Sequence, residues 1–269
     1  MTHPFDIATR LIPLAEGLFR GETTKAYGNM AGPYGGITAA NMLQAVLQDP
    51  RHAGVPVSIT VNLCGAVGDG TFDISVRPVR QGKYIQHWAV ELVQNGQVLT
   101  TASVILAARG ESFDHQAAMM PDAPPYDTCP VVKMAGPLPW LAAYDFRFVE
   151  GAPDFSHPPG PGPNPARSVQ YIADNPPRPL DYLSLCAMID SFVLRVFTVR
   201  PQFGPMASVS ITAHFTGHAD EIKAQGTVPV LGVVDAARFG GNFHDQTMQL
   251  WAQNGKLLAT GSQMVWFKT

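Results

Sequence analysis

Along most of this chain, apolar and polar residues alternate with a period of two, and only two stretches lengthen to the helical period. The alternation, rich in β-branched and aromatic residues, predicts strands over 57–63, 71–81, 84–94 and 97–107. A second series falls over 208–215, 222–234, 242–253 and 256–267, with short strands at 146–149 and 168–171. Helical spacing places Ala39, Met42, Leu43 and Val46 on one face of a segment over 37–47. It starts after Pro33-Tyr34-Gly35-Gly36 and ends at Asp49-Pro50. Pro179 and Asp181 start a second helix whose apolar stripe holds Leu183, Cys186, Ala187, Asp190, Val193 and Leu194.

The two series are related. Gln94-Asn95-Gly96-Gln97-Val98-Leu99-Thr100-Thr101-Ala102-Ser103 returns as Gln253-Asn254-Gly255-Lys256-Leu257-Leu258-Ala259-Thr260-Gly261-Ser262. Asn-Gly between alternating runs predicts a tight hairpin, and its recurrence predicts two copies of one unit, a helix followed by strands. We place the first copy over 1–115 and the second over 116–269, with a proline-rich connecting region around 120–180. A long helix wrapped by an antiparallel sheet, made twice, is an α+β double hot-dog whose two sheets join into one.

Bulk properties remove several function classes. A net charge of −3 over 269 residues gives no footprint for nucleic acid. The three cysteines, Cys64, Cys129 and Cys186, have neither metal nor disulfide spacing, which fits a reducing compartment. No run reaches the roughly 18 apolar residues of a membrane span, and the first residues do not read as a signal peptide. The expectation is a cytoplasmic protein with no metal and no membrane association, paired into a homodimer through sheet edges.

Two polar residues interrupt apolar faces. Asp190 lies on the stripe of the second helix, where an ionised carboxylate is costly unless hydrogen-bonded. It reads either as a functional group or as a helix-to-sheet tie. The comparable interruption of the first helix is Asn41. Gln263 shares a strand face with Ala259, Gly261, Val265 and Phe267, and Val104 stands at its place in the first copy. Ser208, Ser210, Thr212 and His214 share a face that reads as solvent-facing. His214, His218 and His244 show no ligand spacing, and no G-x-S-x-G, Walker or Rossmann glycine pattern is present.

Tyr34-Gly35-Gly36 before the first helix, Arg80-Gln81-Gly82 before the first hairpin, Asp190, and the terminal run from Gly255 to Gln263 occur in an order that resembles the type II acyl-CoA thioesterases and their relatives. The resemblance spans nearly the whole chain. It implies hydrolysis of acyl-CoA to free acid and CoA by direct attack of water, with Asp190, Gln263 and Ser208 as the active-site residues. The better-known relatives carry threonine where this chain has Ser208. Coenzyme A enters only as part of the substrate, with no other cofactor. Gly35 and Gly36 could donate backbone N–H groups to a thioester oxyanion, or mark a helix start pressed against a neighbour. Arg80 and Arg238 are candidate contacts for the CoA phosphates. A non-catalytic acyl-CoA or lipid-binding protein is the alternative, and an enoyl-CoA hydratase a third reading that lacks a histidine close after Asp190.

Overall fold

A computed structural model describes residues 2–134, 138–154, 166–200 and 204–268. The proline-glycine run at 158–163 lies outside the described residues. The first half holds α1 (Pro4–Ala8), β1 (Ile12–Ala15), β2 (Leu18–Glu22), the small hairpin β3 (Gly28–Asn29) and β4 (Gly32–Pro33), and α2 (Gly35–Gln48). Strands β5 (Val55–Leu63), β6 (Thr71–Gln81), β7 (Ile85–Gln94) and β8 (Gln97–Ala107) follow. The second half holds β9 (Tyr144–Glu150), β10 (Ser168–Asp174), α3 (Tyr182–Met188), α4 (Val196–Val199), β11 (Met206–Phe215), α5 (Ala219–Gln225), β12 (Val230–Asp235), β13 (Phe239–Gly240), β14 (Phe243–Trp251) and β15 (Leu257–Phe267).

Except for β3 and β4, these strands form one antiparallel sheet of 13 strands. Its order is β1-β2-β6-β7-β8-β5-β11-β15-β14-β12-β10-β9, with β13 beside β14. The seam is the β5–β11 pair, where Asn62 faces Ser210 and Ser58 faces His214. Both halves thus wrap a helix and fuse through one strand pair, as a double hot-dog requires. On the inner side, α2 packs against α3 and against β5 to β8. Its Ile37, Met42, Leu43 and Val46 are buried, each contributing about 1.5–3 kcal/mol by leaving water.

Three sequence expectations need correction. The 222–234 segment is not one strand. Its first residues belong to α5, entered where the His218 N–H donates to Glu221 Oε2, and Gly226 at φ 59° ends that helix before β12. The two Asn-Gly turns also differ. Asn95 and Gly96 both have positive φ and make a two-residue turn. In the second copy Gln253 is tied to Pro229 O (2.7 Å) and Gln225 Oε1 (3.2 Å), so β14 stops at Trp251 and the turn widens. The apolar stripe on the second helix is also not one helix, with consequences for Asp190 given below. Helix α1 and strands β1 and β2, which extend the sheet at its first edge, had no predicted counterpart.

Candidate active site

Helix α3 begins as its sequence directs, with the Asp181 side chain accepting from the Ser184 N–H at 2.8 Å. It ends at Met188. Asp190 therefore lies in the turn just beyond the helix rather than within it. The Asp190 N–H bonds Ala187 O (3.1 Å) and the Ser191 N–H bonds Met188 O (3.0 Å), a tightened final turn. Asp and Ser are weak helix formers, and Ser191 Oγ also caps Met188 O at 2.8 Å. The periodicity continues through Val193 and Leu194 although the helix does not.

Gln263 lies on the inner face of β15 with Ala259, Gly261, Val265 and Phe267, all buried. Its amide is committed at both ends. Nε2 donates to Asp190 Oδ1 at 2.7 Å and to Ser208 Oγ, while Oε1 accepts from Gln246 Nε2 at 2.5 Å. Gln246 in turn accepts the Arg195 backbone N–H at 3.3 Å. With both protons and the carbonyl spoken for, the amide has one orientation.

Ser208 reaches this network through a β-bulge. Ser208 pairs with Val265 and Ser210 with Met264, so Val209 is an extra residue in β11. The bulge inverts the alternation. Val209 is exposed, while Ser208 joins the inner side with Ile211, Ala213 and Phe215. Strict alternation put Ser208 with Ser210, Thr212 and His214, and that expectation fails at the bulge.

Sequence reasoning missed Gln246. It lies on the inner row of β14 with His244, Met248 and Leu250, and is fully buried. The register pairs Gln246 with Gln263, whereas the corresponding pair in the first half is Trp88 with Val104. The halves thus differ by a polar pair against an apolar pair. A period-two reading of β14 would have flagged Gln246 as polar on an apolar row.

Asp190 is 7% exposed. Burial raises its pKa to about 7, and the Gly36 N–H and the Gln263 amide oppose that rise by favouring the charged form. The N-terminus of α2 points its unpaired N–H groups and positive dipole end at this carboxylate. A Cβ on Gly35 would stand 2.7 Å from Asp190 Oδ2, and one on Gly36 would stand 2.4 Å from Ala187 O. Both glycines therefore let the start of α2 press against the end of α3, the close neighbour being a helix end. The Tyr34 hydroxyl secures the same junction by donating to Ala187 O at 2.5 Å, with its ring stacked on Trp140. The Gly36 N–H is engaged by Asp190, which leaves the Gly35 N–H as the candidate donor of the two glycines.

A cleft of about 300 Å3 opens at this junction. Asp190, Ser208, Gly35, Thr38, Cys64 and Thr100 are among the residues that line it. The arrangement offers a carboxylate, a hydroxyl whose proton is free to donate, and helix-terminal N–H groups around one space, a set suited to holding and activating a water. The two arginines are placed differently. Arg80 pairs with His87 and lies level with Ile105, Ser58 and His214, at the end of the sheet remote from Ser208. It lines a separate depression with His87 and Trp88, apart from this cleft. Because β5 and β11 are antiparallel, the halves present equivalent turns at opposite ends. Arg238 lies before the β13–β14 turn, where Phe243 pairs with Trp266, at the Ser208 end. Both side chains are exposed, and no Lys, Arg or His lines the cleft among the described residues.

A model of the acyl-CoA thioesterase C-terminal domain matches residues 115–267, and a model of the N-terminal domain matches residues 24–107. The chain belongs to the acyl-CoA thioesterase family. Among solved structures, a hot-dog protein of unknown function from Alicyclobacillus acidocaldarius is 38% identical, with a TM-score of 0.94 over 100% of this chain and 99% of that one. An acyl-CoA thioesterase II from Mycobacterium marinum is 20% identical, with a TM-score of 0.77 over 98% of each chain. A putative thioesterase II from Thermobifida fusca YX is 18% identical, with a TM-score of 0.84 over 100% of this chain and 98% of that one. At those identities the last two speak for the fold. A search of curated proteins found no match. No helix among the described residues is long and apolar enough to cross a membrane.

Proposed function

We propose that this family member hydrolyses acyl-CoA thioesters by direct attack of water. The observation that carries the reading is the single Gln263 amide bonded to both Asp190 and Ser208 beside an open cleft. Asp190 acts as general base, its pKa of about 7 matching removal of a proton near neutrality. Ser208 donates its hydroxyl proton to the same water and so fixes its lone pair on the carbonyl. The Gly35 N–H receives the developing oxyanion. The thiolate leaves as a weak base, so no strong general acid is needed. Arg238, at the Ser208 end of the sheet, is the nearer of the two candidate arginines for the CoA phosphates.

The absence of histidine from the cleft lining gives the hydratase reading no support among the described residues. Thiol release measured with a thiol-reactive dye across an acyl-CoA series tests the proposal. Release for some chain length is expected. Calorimetric binding without release for any acyl-CoA would leave the non-catalytic acyl-CoA-binding alternative.

A further inference from the structure

Next to the cleft lies a second space of about 10 Å3, room for a single oxygen-sized group. Pro33, Thr38 and Val67 line both spaces, so the two adjoin along these residues. One face of α2 connects the two. Gly35 and Thr38 border the cleft, while Thr38 and Asn41 border the small chamber. The helical rise puts the chamber roughly 4.5–9 Å beyond Gly35 along the axis.

The chamber sits among apolar groups (Ile37, Phe72, Leu92), yet three of its residues carry buried polar atoms without a partner. They are Thr24 Oγ1, Tyr27 OH and Asn41 Oδ1. Tyr27 is 1% and Asn41 4% exposed. Such atoms destabilise the fold when left unsatisfied. Their chemistry is selective. Asn41 spends Nδ2 on Ala8 O (3.1 Å) and Ile37 O (3.0 Å), so only its acceptor oxygen remains. The hydroxyls of Thr24 and Tyr27 can donate or accept. A ligand group that donates to Asn41 and accepts from Thr24 or Tyr27 satisfies the set, and a hydroxyl does both. A ketone leaves Asn41 unpaired. A carboxylate finds no cation, and Glu22 also borders the chamber.

We infer that the chamber formed by Thr24, Tyr27 and Asn41 recognises a hydroxyl on the acyl arm of the substrate. The preferred substrates are hydroxyacyl thioesters, the hydroxyl roughly four to eight bonds from the carbonyl by extended-chain reach. The inference rests on the thioesterase reading of the cleft. A cleft of about 300 Å3 is at the low end for small-molecule sites and must also admit the pantetheine end, which agrees with a short acyl arm.

The test compares hexanoyl-, 6-hydroxyhexanoyl-, 6-aminohexanoyl- and decanoyl-CoA in thiol release and, with Asp190→Asn, in calorimetric binding. The hydroxyacyl thioester is expected to exceed hexanoyl-CoA by tenfold or more in kcat/KM and in affinity. Asn41→Leu should erase the preference while retaining hexanoyl-CoA turnover. Tyr27→Phe and Thr24→Val should each reduce it, which covers a failure of Asn41→Leu to fold. Equal kcat/KM for hexanoyl- and 6-hydroxyhexanoyl-CoA, a resident water only, overturns the inference, as does preference for the amino or decanoyl compound. Failure of every thioester to react would instead remove the hydrolase reading, and the affinity ratio would still decide the chamber.

Discussion

Gln263 and Asp190 meet where the two halves join, Nε2 to Oδ1 at 2.7 Å, on a turn and a strand far apart in sequence. The contact sits under the N-terminus of α2, which the first half supplies. The site is therefore composite. The second half brings the carboxylate, amide and hydroxyl, and the first half brings the helix dipole and the glycines that permit its approach.

The protonation of Asp190 gives two pH dependences. Burial holds its proton to about pH 7 in the folded chain, against an ordinary 3.8. A general base must be ionised, so kcat/KM should rise with pH through about 7 and then level. Stability runs the other way. Between about pH 4 and 7 the folded chain binds the extra proton, so this group's contribution falls as pH rises and is constant above. Asp190→Asn should therefore gain in Tm relative to wild type from pH 5 to pH 8. A gain that shrinks over that range would contradict the assignment.

Gln246 should behave as a positioning residue. Gln246→Leu leaves Gln263 Oε1 and the Arg195 N–H unsatisfied in a buried site, at about 1–3 kcal/mol each. With the Gln263 amide free to turn, kcat should fall about tenfold or more with KM little changed. Steady-state kinetics separates this from a binding defect. An unchanged kcat in a folded variant would show that the amide needs no such anchor.

Ser208 tests the bulge. Ser208→Thr keeps the hydroxyl and should retain most activity. Ser208→Ala removes one oriented hydrogen bond, about 1 kcal/mol or more, and should lower kcat by five- to tenfold. Deleting Val209 leaves Ser208, Ser210 and Ile211 in strict alternation with Ser208 still on the inner face, so a folded variant should retain activity, and its loss would show that the bulge geometry itself positions the hydroxyl.

Gly35→Ala places a methyl carbon 2.7 Å from Asp190 Oδ2. Activity should drop much further than stability, because the clash falls on the carboxylate and the cleft mouth together. Parallel thermal melts and thiol-release rates would expose a merely structural glycine, whose losses would track each other.

The architecture was legible because alternation and β-branching mark strands, and Gln263 was legible because an amide on an apolar row stands out. Asp190 stands out in the sequence as a carboxylate on an apolar stripe, although the helix that carries the stripe stops at Met188. Periodicity records which residues are buried and not whether the backbone between them is still helical. The bulge at Val209 was invisible, since one inserted residue changes every downstream face without altering composition. The unequal Asn-Gly turns depend on Gln253 contacts with Pro229 and Gln225, tertiary ties that no local pattern encodes. That Arg80 and Arg238 lie at opposite ends of the sheet is equally hidden, because a repeat does not reveal that its copies run antiparallel at their seam.

The most direct measurement is acyl-CoA hydrolysis by Asp190→Asn beside wild type, with acyl-CoA binding and Tm recorded on the same samples. The account predicts unchanged binding, an equal or higher Tm at pH 8, and a loss of about hundredfold or more in kcat. Turnover within a few-fold of wild type across the acyl-CoA series, in a variant that binds and folds normally, would contradict it.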